Sequence, residues 1–176
     1  NAYAGNIDKT AAAVAECKRI GFAVLPPDIQ RSQSQFALEN QPDGKTSIRF
    51  GLSNVKNVGA GSVASFIESR AEADGPIATI EELCRATDMS GVTRKTMESL
   101  VKAGAFDRFG DRGGIISSID RIHSLAQSEA TLRNSDQTSM FDMFGESVPT
   151  PLASIEFPEG TTPDSEKKGW ELELLG

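Results

Sequence analysis

No stretch of this 176-residue chain approaches about 18 consecutive apolar residues, which removes a membrane-spanning helix from consideration. The opening NAYAGNIDKT has no initiator Met, no basic region before an apolar run and no cleavage signal, so it reads as the inside of a longer polypeptide. Cysteine is scarce: Cys17 and Cys84 lack a second Cys or His at ligand spacing. That excludes a zinc site and a disulfide framework and predicts two buried, reduced thiols. The one histidine, His123, lies in a helical stretch and is expected to be a partly exposed helix residue rather than a nucleophile's base. Asp-x-Asp, the spacing that brings two carboxylates to one strand edge for two-metal phosphoryl transfer, is absent. GKTS at 44–47 cannot make a phosphate loop, because Glu39 stands where the upstream glycine must be. No catalytic centre is visible, and no cofactor or metal is expected.

Hydrophobic residues make up 38% of the chain and charged residues 24%, the range of globular proteins. The net charge of −7 is unevenly placed. From Glu129 onward there are ten acidic and three basic residues, which leaves 15 of each in residues 1–128. A neutral body makes no broad electrostatic footprint on nucleic acid, so any grip on phosphate must come from a few placed groups and from backbone amides.

Helix signals dominate. Asp8 caps an Ala-rich helix that Gly21 stops and Pro26 and Pro27 forbid from continuing. Two alternating segments, 36–38 and 48–52, flank the turn-forming Pro-Asp-Gly and predict a small β-hairpin. Thr79 with Glu82 fits a capping box, and Thr93 caps a helix carrying Met97, Leu100 and Val101. The longest periodic run, 115–132, has its apolar stripe at Ile115, Ile116, Ile119, Ile122, Leu125 and Ala126. The prediction is a mainly α domain with a small β-hairpin over residues 6–133, followed by a flexible acidic C-terminal tail, 134–176.

The informative stretch is FGLSNVKNVGAGSVASFIESR, residues 50–70. Leu52, Val55 and Val58 make one apolar face, Gly59 and Gly61 allow a tight turn, and Val63, Ala64 and Ile67 resume a helix, the pattern of a helix-hairpin-helix. The glycines accept φ > 0 and, lacking Cβ, let the backbone approach a phosphate. Amides at Gly59, Gly61 and Ser62 then open a helix whose unpaired N–H groups and dipole attract an anion, with Lys56 and Arg70 near in sequence. Such a grip reads backbone rather than bases. RKTMESLVKAGAFDRFG, residues 94–110, repeats the pattern in degenerate form, with Phe106 where a second glycine would stand. The second copy is expected to pack more than it binds, leaving Arg94, Lys95 and Lys102 as additional phosphate candidates.

In order and spacing, AECKRIGFAVLPPDIQRS, IRFGLSNVKNVGAGSV, ESLVKAGAFDRFG and the final WELELLG resemble the alpha subunit of bacterial DNA polymerase III from about Asn6 to the C-terminus. The resemblance implies a tandem helix-hairpin-helix domain that holds the duplex leaving the active site. It carries DNA contact onto Gly59 and Gly61 and puts the catalytic aspartates in an upstream palm domain absent from this chain. WELELLG looks like the join before that family's OB-fold. QTSMF resembles the family's internal sliding-clamp motif, Gln-x-x-[Leu/Met]-Phe, on Gln137, Met140 and Phe141. The implied partners are double-stranded DNA, the sliding clamp and the remaining polymerase domains, in the cytoplasm and without a membrane. One rival is an interaction-only module whose hairpins pack against neighbouring polymerase domains; a second, an independent nuclease or glycosylase fragment, is disfavoured by the lack of a paired-carboxylate or nucleophile constellation.

Overall fold

A computed structural model describes residues 7–73, 75–134 and 154–176. Helix α1 (Ile7–Arg19) ends at Gly21, whose φ of +92° sits in the left-handed region expected of a stop. Strands β1 (Val24–Leu25), β2 (Ala37–Asn40) and β3 (Thr46–Arg49) form one sheet in the order β1-β3-β2. The antiparallel β2–β3 pair is the predicted hairpin, with Leu38 opposite Ile48. The parallel β1 was not legible because two residues carry no alternation. Between β1 and β2, Pro27 leads into a turn in which the Asp28 carboxylate accepts from the Gln30 N–H (2.7 Å).

After β3 the backbone passes Gly51, where an added Cβ would lie 2.3 Å from the Gln35 carbonyl carbon. Because that neighbour is backbone, Gly51→Ala is expected to destabilise the fold by about 1–3 kcal/mol, read from the urea midpoint. A 3-10 turn (Leu52–Asn54) follows, then α2 (Ala60–Glu72), α3 (Ile80–Ala86), α4 (Arg94–Lys102), α5 (Arg112–Ser117), α6 (Ile119–Asn134) and α7 (Asp164–Leu175). The cap predictions hold at Thr79, which accepts from the Glu82 N–H, and at Thr93, which accepts from the Thr96 N–H (both 3.1 Å). The 115–132 run is not one helix but two, broken at Ser118. Its stripe still points inward: Ile115, Ile119 and Ile122 are fully buried.

The core gathers Leu52, Val63, Phe66, Leu83, Met97, Leu100, Phe106 and these isoleucines. Phe106 is its aromatic centre, edge-on to Phe66 at 6.2 Å and beside Phe109 at 5.8 Å. Cys84 is buried and its thiol pushed up to about 12 by desolvation, whereas Cys17 is only half-buried, a correction to the expected burial of both. His123 is half-buried on α6, and desolvation lowers its pKa. Among the described residues no helix is long and apolar enough to cross a membrane.

The flexible-tail expectation needs correction over residues 154–176. Ile155 and Leu174 are buried, α7 packs against α1 and α4, and the Lys56 N–H donates to the Leu174 carbonyl (3.1 Å). Acidic composition hid this, because the matching partner lies far away in sequence: Glu171 pairs with buried Arg112 (2.8 Å). Residues 135–153, which include Gln137, Met140 and Phe141, lie outside the described residues.

Candidate nucleic-acid interface

The first hairpin turns on Asn57, whose φ of +67° is the left-handed conformation; Asn tolerates it because its short polar side chain can bond locally. Its side-chain amide donates to the Ser99 hydroxyl (3.2 Å), and its carbonyl accepts from the Thr96 hydroxyl (3.2 Å). The expectation that Gly59 and Gly61 serve a positive φ is therefore corrected. Gly59 is the extended N-cap of α2 (φ −86°, ψ 153°), and Gly61 lies within the first turn of the helix. What remains is the argument from space: a Cβ on either glycine would meet nothing within 4 Å. Both positions are open, and among the described residues no group fills the room that the missing side chains leave.

The helix they open has no side-chain cap and no acidic residue in its first turn. The Gly59 carbonyl accepts from the Val63 N–H (3.2 Å), so the N–H groups of Ala60, Gly61 and Ser62 precede the first intrahelical bond. Among the described residues none of the three has an acceptor. Ser62 contributes its amide only, since its hydroxyl donates to the Gly91 carbonyl (2.8 Å). That bond, with the Thr96–Asn57 bond, sets the first turn of α4 beside the start of α2. Gly91, Arg94 and Lys95 are exposed there, and Lys56 is exposed on the hairpin itself.

Lys56, Gly59, Gly61, Ser62, Arg94 and Lys95 are thus brought to one edge. Lys102 is not. At the far end of α4 it pairs with Glu98 (2.6 Å) and lies 5.5 Å from the Trp170 ring centroid, in the seam with α7. Arg70 also turns away, donating to the Ile29 carbonyl (3.1 Å). Arg94 reaches the edge already paired with Asp120 of α6.

The second hairpin is closed. Gly104, with φ +90°, packs against the Arg112 side chain, which is buried and bonds Asp107 twice and the Lys102 carbonyl once. The start of α5 is covered by Asp111, whose carboxylate accepts from the Gly113 N–H (2.9 Å), the Thr162 N–H (2.8 Å) and the Thr162 hydroxyl (2.6 Å). Those bonds, the Thr162 hydroxyl foremost, hold the Asp111 carboxyl down at about 2, against an ordinary 3.8. A depressed carboxyl contributes stability that is complete above its unfolded pKa and lost as pH falls through the folded one. Unfolding free energy is therefore expected to drop between about pH 4 and pH 2, and the drop should be shallower in Asp111→Asn when followed by urea unfolding across that range.

Sequence reasoning missed Asn57, Gly91, Asp120 and Thr162, all of which act through contacts distant in sequence. Only Asn57 left a local trace, as an Asn just before a glycine-bearing turn. Among the described residues no cluster of His, Cys, Asp and Glu side chains is placed to hold a metal ion.

The helix-hairpin-helix motif family matches residues 21–114, from the start of the sheet into α5, and so takes in both hairpins. The chain is 33% identical to the DNA polymerase III alpha subunit of Campylobacter jejuni, over 97% of this chain and 14% of that protein. It is 32% identical to the alpha subunit of Mycobacterium tuberculosis, over 96% of this chain and 14% of that one. For Deinococcus radiodurans the figures are 36%, 96% and 12%. The chain thus spans about one-seventh of the length of the curated relatives it matches. Two hairpin units in one core, with similarity running through both, make this chain a member of the helix-hairpin-helix motif family, in the form found within bacterial DNA polymerase III alpha subunits.

Proposed function

We propose that this chain is the part of a DNA polymerase III alpha subunit that holds duplex DNA by its phosphate backbone, without sequence preference, at the edge formed by the first hairpin and the start of α4. The observation that carries the reading is the uncapped start of α2, open to solvent at Gly59 and Gly61 and flanked by Lys56 and by Lys95 on α4. Backbone amides and lysines at this edge match phosphate oxygens, contacts that position a protein on a duplex and carry no sequence information of their own. Catalysis falls to other parts of the parent polymerase, a nucleotidyltransferase, and this segment needs no cofactor.

Fluorescence anisotropy of the 176-residue chain on two unrelated duplexes tests this. The expected dissociation constants are alike and in the roughly 10⁻⁴ to 10⁻⁶ M range of non-specific contacts. The slope of log affinity on log salt should be shallower than about −5; a steeper one means more phosphates than so small an edge can neutralise. Binding to one duplex only would replace the reading with sequence recognition.

The same chain is proposed to tether the polymerase to its sliding clamp through Gln137, Met140 and Phe141. What supports this is the motif itself, a polar anchor followed by two adjacent apolar side chains, each worth about 1.5–3 kcal/mol when a partner buries it. A peptide of residues 135–145 is expected to bind the clamp and to lose binding on Gln137→Ala, Met140→Ala and Phe141→Ala together. Equal affinity for the two peptides, or none for either, removes the clamp.

A further inference from the structure

We infer that Asp120 is a built-in counter-charge for the DNA edge: it neutralises Arg94 in the free protein and gives it up to a backbone phosphate when duplex binds. The inference rests on the DNA reading above and concerns how strongly that edge grips. Arg94 is the first residue of α4, and its turn is fixed to the hairpin by the Ser62–Gly91 and Thr96–Asn57 bonds. Its guanidinium pairs with a carboxylate from the first turn of α6, 26 residues away.

The placement of the two charges makes exchange easy. The positive end of a helix dipole disfavours cations, yet the first turn of α4 carries Arg94 and Lys95 and no acid. Such a turn is relieved by an anion, and in the free protein that anion is Asp120. Asp120 itself stands at the positive end of α6, where a carboxylate is favoured whether or not Arg94 is present. The side chains are 55% and 79% exposed, so water can replace either partner and neither is stranded when the pair opens. Among the described residues Asp120 has no other ion pair or hydrogen bond. A phosphate offers the guanidinium the same two-oxygen face as the carboxylate it leaves.

The other helix starts set this arrangement apart. In α3 and α7 the first-turn acids have no basic residue beside them in that turn, and α5 is closed by Asp111. Arg112 at the start of α5 also pairs with a carboxylate of another helix, Glu171 of α7, but it is buried and held by Asp107 as well, whereas Arg94 and Asp120 are both exposed.

The test is a double-mutant cycle on the 176-residue chain, using Asp120→Asn, Arg94→Gln and the pair together, with a mixed-sequence 20-base-pair duplex and salt from about 50 to 200 mM. Asp120→Asn should tighten binding about two- to fivefold at the lowest salt. Arg94→Gln should weaken it and make the salt slope shallower by about 0.9, the share of one phosphate. The gain from Asp120→Asn should vanish in the Arg94→Gln background, because there is no guanidinium to release. Both side chains are exposed, so thermal midpoints should stay close to wild type, and Arg94→Lys, which keeps the charge, should recover part of the affinity. An equal gain in both backgrounds overturns the exchange and leaves only removal of a negative charge near DNA. So does an Arg94→Gln slope equal to wild type. Lys95→Gln and Lys56→Gln separate the two levels. If they weaken binding while the cycle is additive, the counter-charge fails alone. If the wild-type chain binds no duplex, the DNA reading fails and the counter-charge with it.

Discussion

Replacing Gly59 and Gly61 together with valine is expected to weaken duplex binding at least about tenfold and to leave the fold standing. An amide–phosphate hydrogen bond needs its heavy atoms within about 3 Å, and a branched Cβ beside those amides occupies the approach. The protein itself loses little, because neither glycine holds a left-handed φ and nothing lies within 4 Å of the added carbon. Valine is a poor N-cap, so the change at Gly59 costs about 1 kcal/mol, while glycine inside a helix turn is already the weaker former. Lys56→Gln, which removes one exposed charge, should weaken binding by less. The measurements are far-UV circular dichroism and anisotropy on the same sample. A folded valine variant that binds DNA as before makes the hairpin a packing element only, and favours the rival module that docks on neighbouring polymerase domains.

The second large effect is on stability. Phe106→Ala is expected to cost about 3–5 kcal/mol, because a fully buried ring that packs on Phe66 and Phe109 is removed from the centre of the core. Against a total of about 5–15 kcal/mol for a domain, that is a large fraction of what holds the protein folded. Urea unfolding followed by Trp170 fluorescence measures it. A loss below about 1 kcal/mol means the second hairpin is peripheral, against its place in the structure. The two substitutions divide the hairpins by role: glycine to valine in the first should move binding and spare stability, and Phe106→Ala in the second should do the reverse.

Much of the fold was legible because it is written in local chemistry. Thr79 and Thr93 cap as their spacing demands, Gly21 stops α1, and the isoleucine stripe of 115–122 is buried although Ser118 breaks its helix. The degenerate second hairpin was also legible, since a phenylalanine in place of a glycine can only pack. The C-terminal helix was not. Its acidic composition reads as solvated until Arg112, Lys102 and the Lys56 amide are seen to meet it, and all three lie far away in sequence. At the site, one reason was wrong: the left-handed residue is Asn57, and a Cβ on either glycine would meet open space and no left-handed torsion. Which lysines and arginines face the edge depends on how α4 is turned. Periodicity places Lys95 and Lys102, seven residues apart, on a similar face, so they were grouped although they lie at opposite ends of one helix.

The bond from the Lys56 N–H to the Leu174 carbonyl joins the C-terminal helix to the residue immediately before the left-handed Asn57. Leu174 also belongs to the buried core that holds Phe106. The C-terminal helix is therefore a brace shared by the first hairpin and the core, and loosening it reaches the backbone at Lys56 and the packing together.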